Sequence, residues 1–410
     1  MCLGGRVFEN QFGPISDTVL HSLVTMNSPA FEPVTSAKHV SALDGIRGIA
    51  ILMVLAFHGG LIITATTPVG SIYRQVVSFC WSGVDLFFVL SGYLITGILL
   101  DTRDSKHYYR NFYLRRALRI FPLYYGVILV LFWCIPDLTN QIWYWLYLQN
   151  WRSAFSGSMP ATVLQPFWSL AIEEQFYLLW PFVIFFLNRR RLSLFCGLMI
   201  LVAILARCIA TFQGVNPMTI YTLTVFRIDT LCAGALIAVW LRDADQSKRL
   251  ERFKIPCLVI AGLALIAVVI FDGSFSGEGL GSQTIGYSLF AAIYALLIAF
   301  VVMNPSSVPP LKRILEFGVL RYFGNRSYAI YLFQMVVFIP LNQIYLRHWK
   351  AIDISGWRAV CTFCIALVFI LALATISWYC YEKPFLKLKR FFPRQEETTV
   401  RELEPVVQES

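Results

Sequence analysis

Charge is what this sequence lacks. Only 14 % of its 410 residues are Asp, Glu, Lys or Arg, against about 25 % in soluble globular proteins. A water-facing surface cannot be assembled from so few charges, which excludes a soluble enzyme and a disordered chain. Histidine is scarce as well, with five copies, and no grouping of His, Cys, Asp and Glu has the spacing of a ligand set, so no metal is expected. The ten cysteines are scattered, nearly all within apolar runs, which excludes a disulfide scaffold and predicts small buried hydrophobes, Cys361-x-x-Cys364 included. Residues 1–40 are polar and mixed (Glu9, Asp17, His21, Glu32, Lys38) and hold no apolar core of a cleaved signal, so the first span is expected to do its own targeting.

What is present is apolar: 57 % of the chain. Ten stretches approach the roughly 20 residues needed to cross a bilayer, near 44–65, 78–100, 120–138, 168–187, 192–213, 220–241, 255–272, 284–304, 327–346 and 357–380. The fold expected is an all-α polytopic transmembrane bundle of about ten spans. Its membrane domain covers 41–385, between an N-terminal tail at 1–40 and a C-terminal tail at 386–410. The aromatic stretch at 141–151 is too short to span and reads as interfacial; 311–324 reads as an amphipathic lead-in helix.

The net charge of +10 reports topology here, not nucleic acid. Even-numbered loops hold Arg103, Lys106, Arg110, Arg115, Arg116 and Arg119, the arginines at 189–191, five more basic residues at 242–254 and four at 312–326. Odd-numbered loops hold only Arg74, Arg152, Arg347, Lys350 and Arg358. Both termini are therefore expected in the cytoplasm.

Against that background the ionisable residues inside spans stand out: His58, Asp85, Glu173, Glu174, Arg207, Arg227 and Asp229. The six charged ones would cost roughly 15–20 kcal/mol facing lipid, more than the ~5–15 kcal/mol that holds a fold together. They are expected to face one another or a wet interior. Arg227 and Asp229 read as a structural pair, and Arg207 as close to an interface. Ser41-Ala42-Leu43-Asp44 has the capping-box pattern, so the first helix should begin there. Arg47 and His58 then lie eleven residues apart, about 20° from one another around the helix and ~16.5 Å along it. Arg47 falls at the cytoplasmic mouth and His58, the only intramembrane histidine, well inside. A neutral imidazole is a natural general base. Arg115, Arg116 and Arg119 form a guanidinium cluster suited to phosphates. Ser169, Glu173 and Tyr177 recur on one helix face, and with Glu174 and Asp85 they read as an acceptor side at the outer end. Gly83 and Ser91-Gly92 around Asp85 allow close helix approach. The gradient expected runs from basic groups inside, through one histidine, to carboxylates outside.

At these residues the sequence resembles the acyltransferase-3 family of integral membrane O-acyltransferases. The resemblance runs through SALDGIRGIA…FH (41–58), GVDLFFVLSGYLIT (83–96), YLRRALRIFPLY (113–124), WSLAIEEQFYLLWP (168–181), FRIDTLCAGA (226–235) and YEKPF (381–385). It implies acyl transfer from acyl-CoA, most often acetyl-CoA, as co-substrate without any bound cofactor. The implied acceptor is a hydroxyl of an extracytoplasmic carbohydrate or glycolipid, at a bacterial inner (plasma) membrane. The family's Arg-x10-His pair falls on Arg47 and His58, and its basic motif on Arg115, Arg116 and Arg119. Catalysis is expected of His58, Arg47, Glu173 and Glu174; donor binding of Arg47, Arg115, Arg116 and Arg119; the acceptor side of Asp85, Ser169, Glu173 and Tyr177. Many relatives append a soluble SGNH hydrolase-like domain, which is not expected here because the chain ends about 25 residues after Phe385. The competing reading is a proton-coupled transporter or flippase of a glycan, since carriers also use intramembrane carboxylates and histidine.

Overall fold

The computed structural model describes residues 40–60, 75–135, 140–159, 163–274, 276–303, 309–349 and 357–393. The tails at 1–39 and 394–410, and the loop residues Arg74 and Lys350, lie outside them. The described residues form helices joined by turns, with no strand among them. Ten helices carry the bundle: α1 (Ser41–Gly60), α2 (Gly83–Asp101), α3 (Tyr108–Cys134), α4 (Phe167–Phe186), α5 (Arg189–Phe212), α6 (Ile228–Trp240), α7 (Ala244–Asp272), α8 (Tyr287–Met303), α9 (Gly318–Trp349) and α10 (Trp357–Ser377). Nine described helices are long and apolar enough to cross a membrane; α6, at 13 residues, is shorter. The protein is a multi-pass helical membrane protein.

Side-chain caps start several of these helices. Asn188 accepts from the Arg191 amide at α5, and Asp243 from the amides of Asp245 and Gln246 at α7. Helix α1 begins at Ser41, whose hydroxyl donates to Glu316 at 2.5 Å. Helices α3 and α7 start about eleven residues before their apolar runs, so Arg115, Arg116 and Arg119 ride on α3 itself. The aromatic 141–151 stretch is two short helices, Gln141–Trp145 and Gln149–Ser156. The lead-in helix is only Pro309–Leu315, and α9 takes over from Gly318.

Glycines set the tightest crossings. A Cβ on Gly234 of α6 would sit 1.8 Å from the Val89 carbonyl of α2, and one on Gly92 would sit 1.9 Å from the Leu231 carbonyl of α6. Backbone therefore lies on backbone, the close approach that Ser91-Gly92 allows. Gly324 of α9 meets the Asp44 carbonyl of α1 in the same way.

The span expected at 220–241 is interrupted. A short helix, Pro217–Thr222, ends at extended Leu223, a 3-10 turn follows at Thr224–Phe226, and α6 starts only at Ile228. The freed carbonyls are met by buried side chains: Asn150 donates to Thr222, and Arg207 donates to Phe226.

Cys361 and Cys364 correct another expectation, since both are exposed on the outside of the bundle, as are Cys134, Cys257 and Cys380. In a bilayer an apolar run suits the lipid face as well as the interior, so apolar surroundings do not bury a cysteine. The C-terminal tail is likewise folded as far as Pro393, whose carbonyl takes a 2.8 Å hydrogen bond from Asn111.

Candidate active site

Helix α1 carries both Arg47 and His58, and both line cavities inside the bundle. One, about 370 Å³, is bordered by Asp44, Arg47, Asn111, Arg115, Arg116, Arg119, Arg242 and Lys389. A second, about 90 Å³, shares Arg47, Arg116 and Arg119 with it and adds Ser91, Ser169, Glu173, Glu174, Tyr177, Tyr328 and Tyr331. A third, about 50 Å³, shares Val84 and Tyr331 with the second and holds His58 among Phe57, Trp81, Met159, Gln165, Trp168 and Tyr221. Shared walls make these one series: arginines, then carboxylates, then histidine.

That order corrects the expected gradient. Glu173 and Glu174 stand between the arginines and His58, not beyond it. Helix α1 is described as far as Gly60, with His58 eleven residues past Arg47 along it. Helix α4 begins at Phe167, which sets Glu173 about 9 Å along it. There Glu173 meets Ser91 near the middle of α2: the serine hydroxyl donates to the carboxylate at 2.5 Å. The i, i+4, i+8 face does hold together, because Ser169, Glu173 and Tyr177 all line the second cavity. Ser169 shares a 2.5 Å hydrogen bond with Tyr331, which also donates to the Pro166 carbonyl.

The arginines divide by what they touch. Arg47 is 3.6 Å from Asp44 on the preceding helical turn. Arg116 lies over the Tyr177 ring, 3.8 Å from its centroid. Arg119 has Arg47, Arg116 and Glu382 as electrostatic neighbours. Arg115 also lines the wide cavity, but it donates to the carbonyls of Lys389 (3.1 Å) and Phe392 (2.8 Å), tying the C-terminal segment to α3.

Asp85 leaves the acceptor side altogether. It is fully buried and ion-paired with Arg227, while Asp229 pairs with Arg207 at 2.9 Å. The expected Arg227–Asp229 pair is thus exchanged for two cross-helix pairs. Side chains two positions apart near a helix start point away from each other, so each finds its partner elsewhere. Arg207, with no exposure, also donates to the Thr284 and Phe226 carbonyls and the Ser288 hydroxyl. Among the described residues no group of three or more His, Cys, Asp or Glu is placed to hold a metal.

One residue next to His58 carries no charge and was not singled out in the sequence. Gln334 of α9 is completely buried, and its Oε1 lies 3.1 Å from His58 Nδ1. The available signal is its place in Ser327-Tyr328-Ala329-Ile330-Tyr331-Leu332-Phe333-Gln334, where Ser327, Tyr331 and Gln334 share one face of an apolar span.

A family model described as an acyltransferase domain matches residues 40–379, which hold the lining of all three cavities except Lys389. The chain belongs to the acyltransferase-3 family. Peptidoglycan O-acetyltransferase OatA of Listeria monocytogenes is 30 % identical to it over 381 residues, 86 % of this chain and 56 % of that protein. Putative peptidoglycan O-acetyltransferase YrhL of Bacillus subtilis is 28 % identical over 378 residues, 85 % of this chain and 55 % of its own length. O-acetyltransferase OatA of Staphylococcus aureus is 27 % identical over 387 residues, 88 % and 60 % respectively. This acyltransferase-3 chain therefore spans little more than half the length of those relatives. No solved structure matches it.

Proposed function

We propose that the protein is a membrane O-acyltransferase that moves an acyl group, acetyl first among candidates, from acyl-CoA to a carbohydrate hydroxyl. The observation that carries this reading is the series of cavities joining Arg47, Arg116 and Arg119 to His58 through shared walls. The arginine-lined cavity offers guanidinium groups to the phosphates of CoA. The narrow second cavity suits the pantetheine arm, whose amide N–H groups would find acceptors in Glu173 and Glu174. The thioester is then delivered to His58. There the imidazole takes the proton of the acceptor hydroxyl, the oxygen attacks the thioester carbonyl, and the thiolate leaves with the proton returned by the ring.

Val40 and Lys389 border the same wide cavity, so both ends of the described chain reach one end of the bundle. The excess of Lys and Arg in the even-numbered loops supports placing that end in the cytosol, where acyl-CoA is made, and the acceptor on the far side of a bacterial inner membrane. The names of the relatives support a cell-envelope glycan as acceptor.

Membranes carrying the wild-type protein, given labelled acetyl-CoA and envelope glycan, should release CoA and label the glycan. His58→Ala should lose at least ~10²-fold of that activity, the usual scale for a general base. Glycan movement without any CoA release would instead make the protein a carrier.

A further inference from the structure

The Gln334 side chain is hydrogen-bonded to the His58 ring, and that bond decides which ring nitrogen carries the proton. Gln334 makes two contacts: its Nε2 donates to the Tyr331 carbonyl at 3.2 Å, and its Oε1 lies 3.1 Å from His58 Nδ1. The amide cannot be turned around. Turning it would set Oε1 against the Tyr331 carbonyl, two acceptors facing each other in a site with no exposure. With Oε1 toward the ring, the contact is a hydrogen bond only if Nδ1 carries the proton. A neutral imidazole has one N–H and one bare nitrogen, so Nε2 becomes the acceptor, and His58 borders the third cavity. The Val54 carbonyl, one turn back on α1, is a further hydrogen-bond acceptor beside the ring.

We infer that Gln334 is a positioning residue that locks His58 in the Nδ1–H tautomer, so that Nε2 is the base. This rests on the proposed role of His58. As the acceptor hydroxyl gives its proton to Nε2, the ring becomes an imidazolium whose Nδ1–H stays bonded to Gln334. When the C–S bond breaks, the Nε2 proton passes to the thiolate and the starting tautomer is restored. Tyr331 serves at both ends of the arrangement. Its carbonyl anchors the Gln334 amide, while its side chain forms the wall between the carboxylate and histidine cavities.

Two substitutions separate this role from plain packing. Gln334→Leu keeps much of the volume and removes the acceptor. Gln334→Glu, protonated in this buried site, keeps an oxygen facing Nδ1 while its hydroxyl replaces the donor to the Tyr331 carbonyl. Gln334 borders none of the three cavities, so neither change should shift the KM for acyl-CoA more than about twofold. Gln334→Leu should lower kcat at least ~10-fold, the lesser end of what misplacing an enforced tautomer costs, and Gln334→Glu should recover it to within a few-fold of wild type. An equal loss in both variants, or no loss in Leu, would overturn the inference.

A spectroscopic readout needs no active variant. In full-length protein with ¹⁵N-labelled histidine at alkaline pH, the His58 resonances, identified by their loss in His58→Gln, should show a protonated Nδ1 and a bare Nε2. A proton on Nε2 in the wild type sinks the inference whatever the kinetics. Full turnover in His58→Ala would remove the base itself, whereas a dead His58→Ala beside fully active Gln334 variants would remove only the tautomer lock.

Discussion

Arg116 lies face-on over Tyr177, and the Tyr177 hydroxyl donates at 3.0 Å to Ser91, whose own hydroxyl is held by Glu173. One aromatic ring therefore couples the guanidinium cluster to the carboxylates of the second cavity. The ring and the hydroxyl make separable contributions. Tyr177→Phe keeps the surface beneath Arg116 and should leave the KM for acyl-CoA near wild type. Tyr177→Leu removes a desolvated cation–π contact worth up to about 2 kcal/mol, and should raise that KM roughly tenfold or more. Steady-state kinetics with varied donor at saturating acceptor would check both.

Arg119 and Arg115 should part company. Arg119→Ala removes a cation from the wall shared by the two larger cavities, and loss of a charge-assisted contact of ~1.5–3 kcal/mol should raise the donor KM at least tenfold. Arg115 is bonded to the carbonyls of Lys389 and Phe392. Arg115→Ala should chiefly loosen that segment, seen as faster trypsin cleavage after Lys389 and Arg390 with a smaller change in donor KM.

The Asp85–Arg227 pair has no exposure on either side, so removing one member strands the other. Asp85→Leu alone should cost about 3–5 kcal/mol, and the double change Asp85→Leu with Arg227→Met should recover most of it. Thermal unfolding in detergent, followed by size-exclusion retention, reads the difference.

Glycine substitutions should divide by the space around them. Gly234→Ala drives a methyl into the Val89 carbonyl and should separate α2 from α6, lowering the folded yield. Gly262 on α7 has nothing within 4 Å of where a Cβ would stand, so Gly262→Ala should gain roughly 0.5–1 kcal/mol from helix preference alone. The same unfolding assay ranks the two.

The placement of Arg47 and His58 was legible in the sequence because both sit on one helix, where rotation per residue settles relative position. The face bearing Ser169, Glu173 and Tyr177 was legible for the same reason. Depth between helices was not. The order of carboxylates and histidine depends on how α4 is offset along its neighbouring helices, an offset set by contacts such as Ser91–Glu173 that no single-helix pattern encodes. Ion-pair partners escaped likewise, since Arg227 and Asp229 are neighbours in the chain but meet residues on α2 and α5. Gln334 escaped because a search for charge passes over an amide. Cys361 and Cys364 show the converse limit: hydropathy marks what tolerates a bilayer, not which side of the helix faces protein.

The interrupted segment before α6 bears on how this chain is built into a membrane. Thirteen residues of helix give about 20 Å, short of the ~30 Å hydrocarbon thickness, and its leading turn brings Arg227 and Asp229. Released alone into lipid, that segment would have neither the length nor the neutralising partners to stay. Its counter-charges, Asp85 and Arg207, are on α2 and α5, which leave the ribosome earlier. Biogenesis should therefore depend on those two helices waiting beside the translocation channel, so that an unstable newcomer is received as a docked passenger.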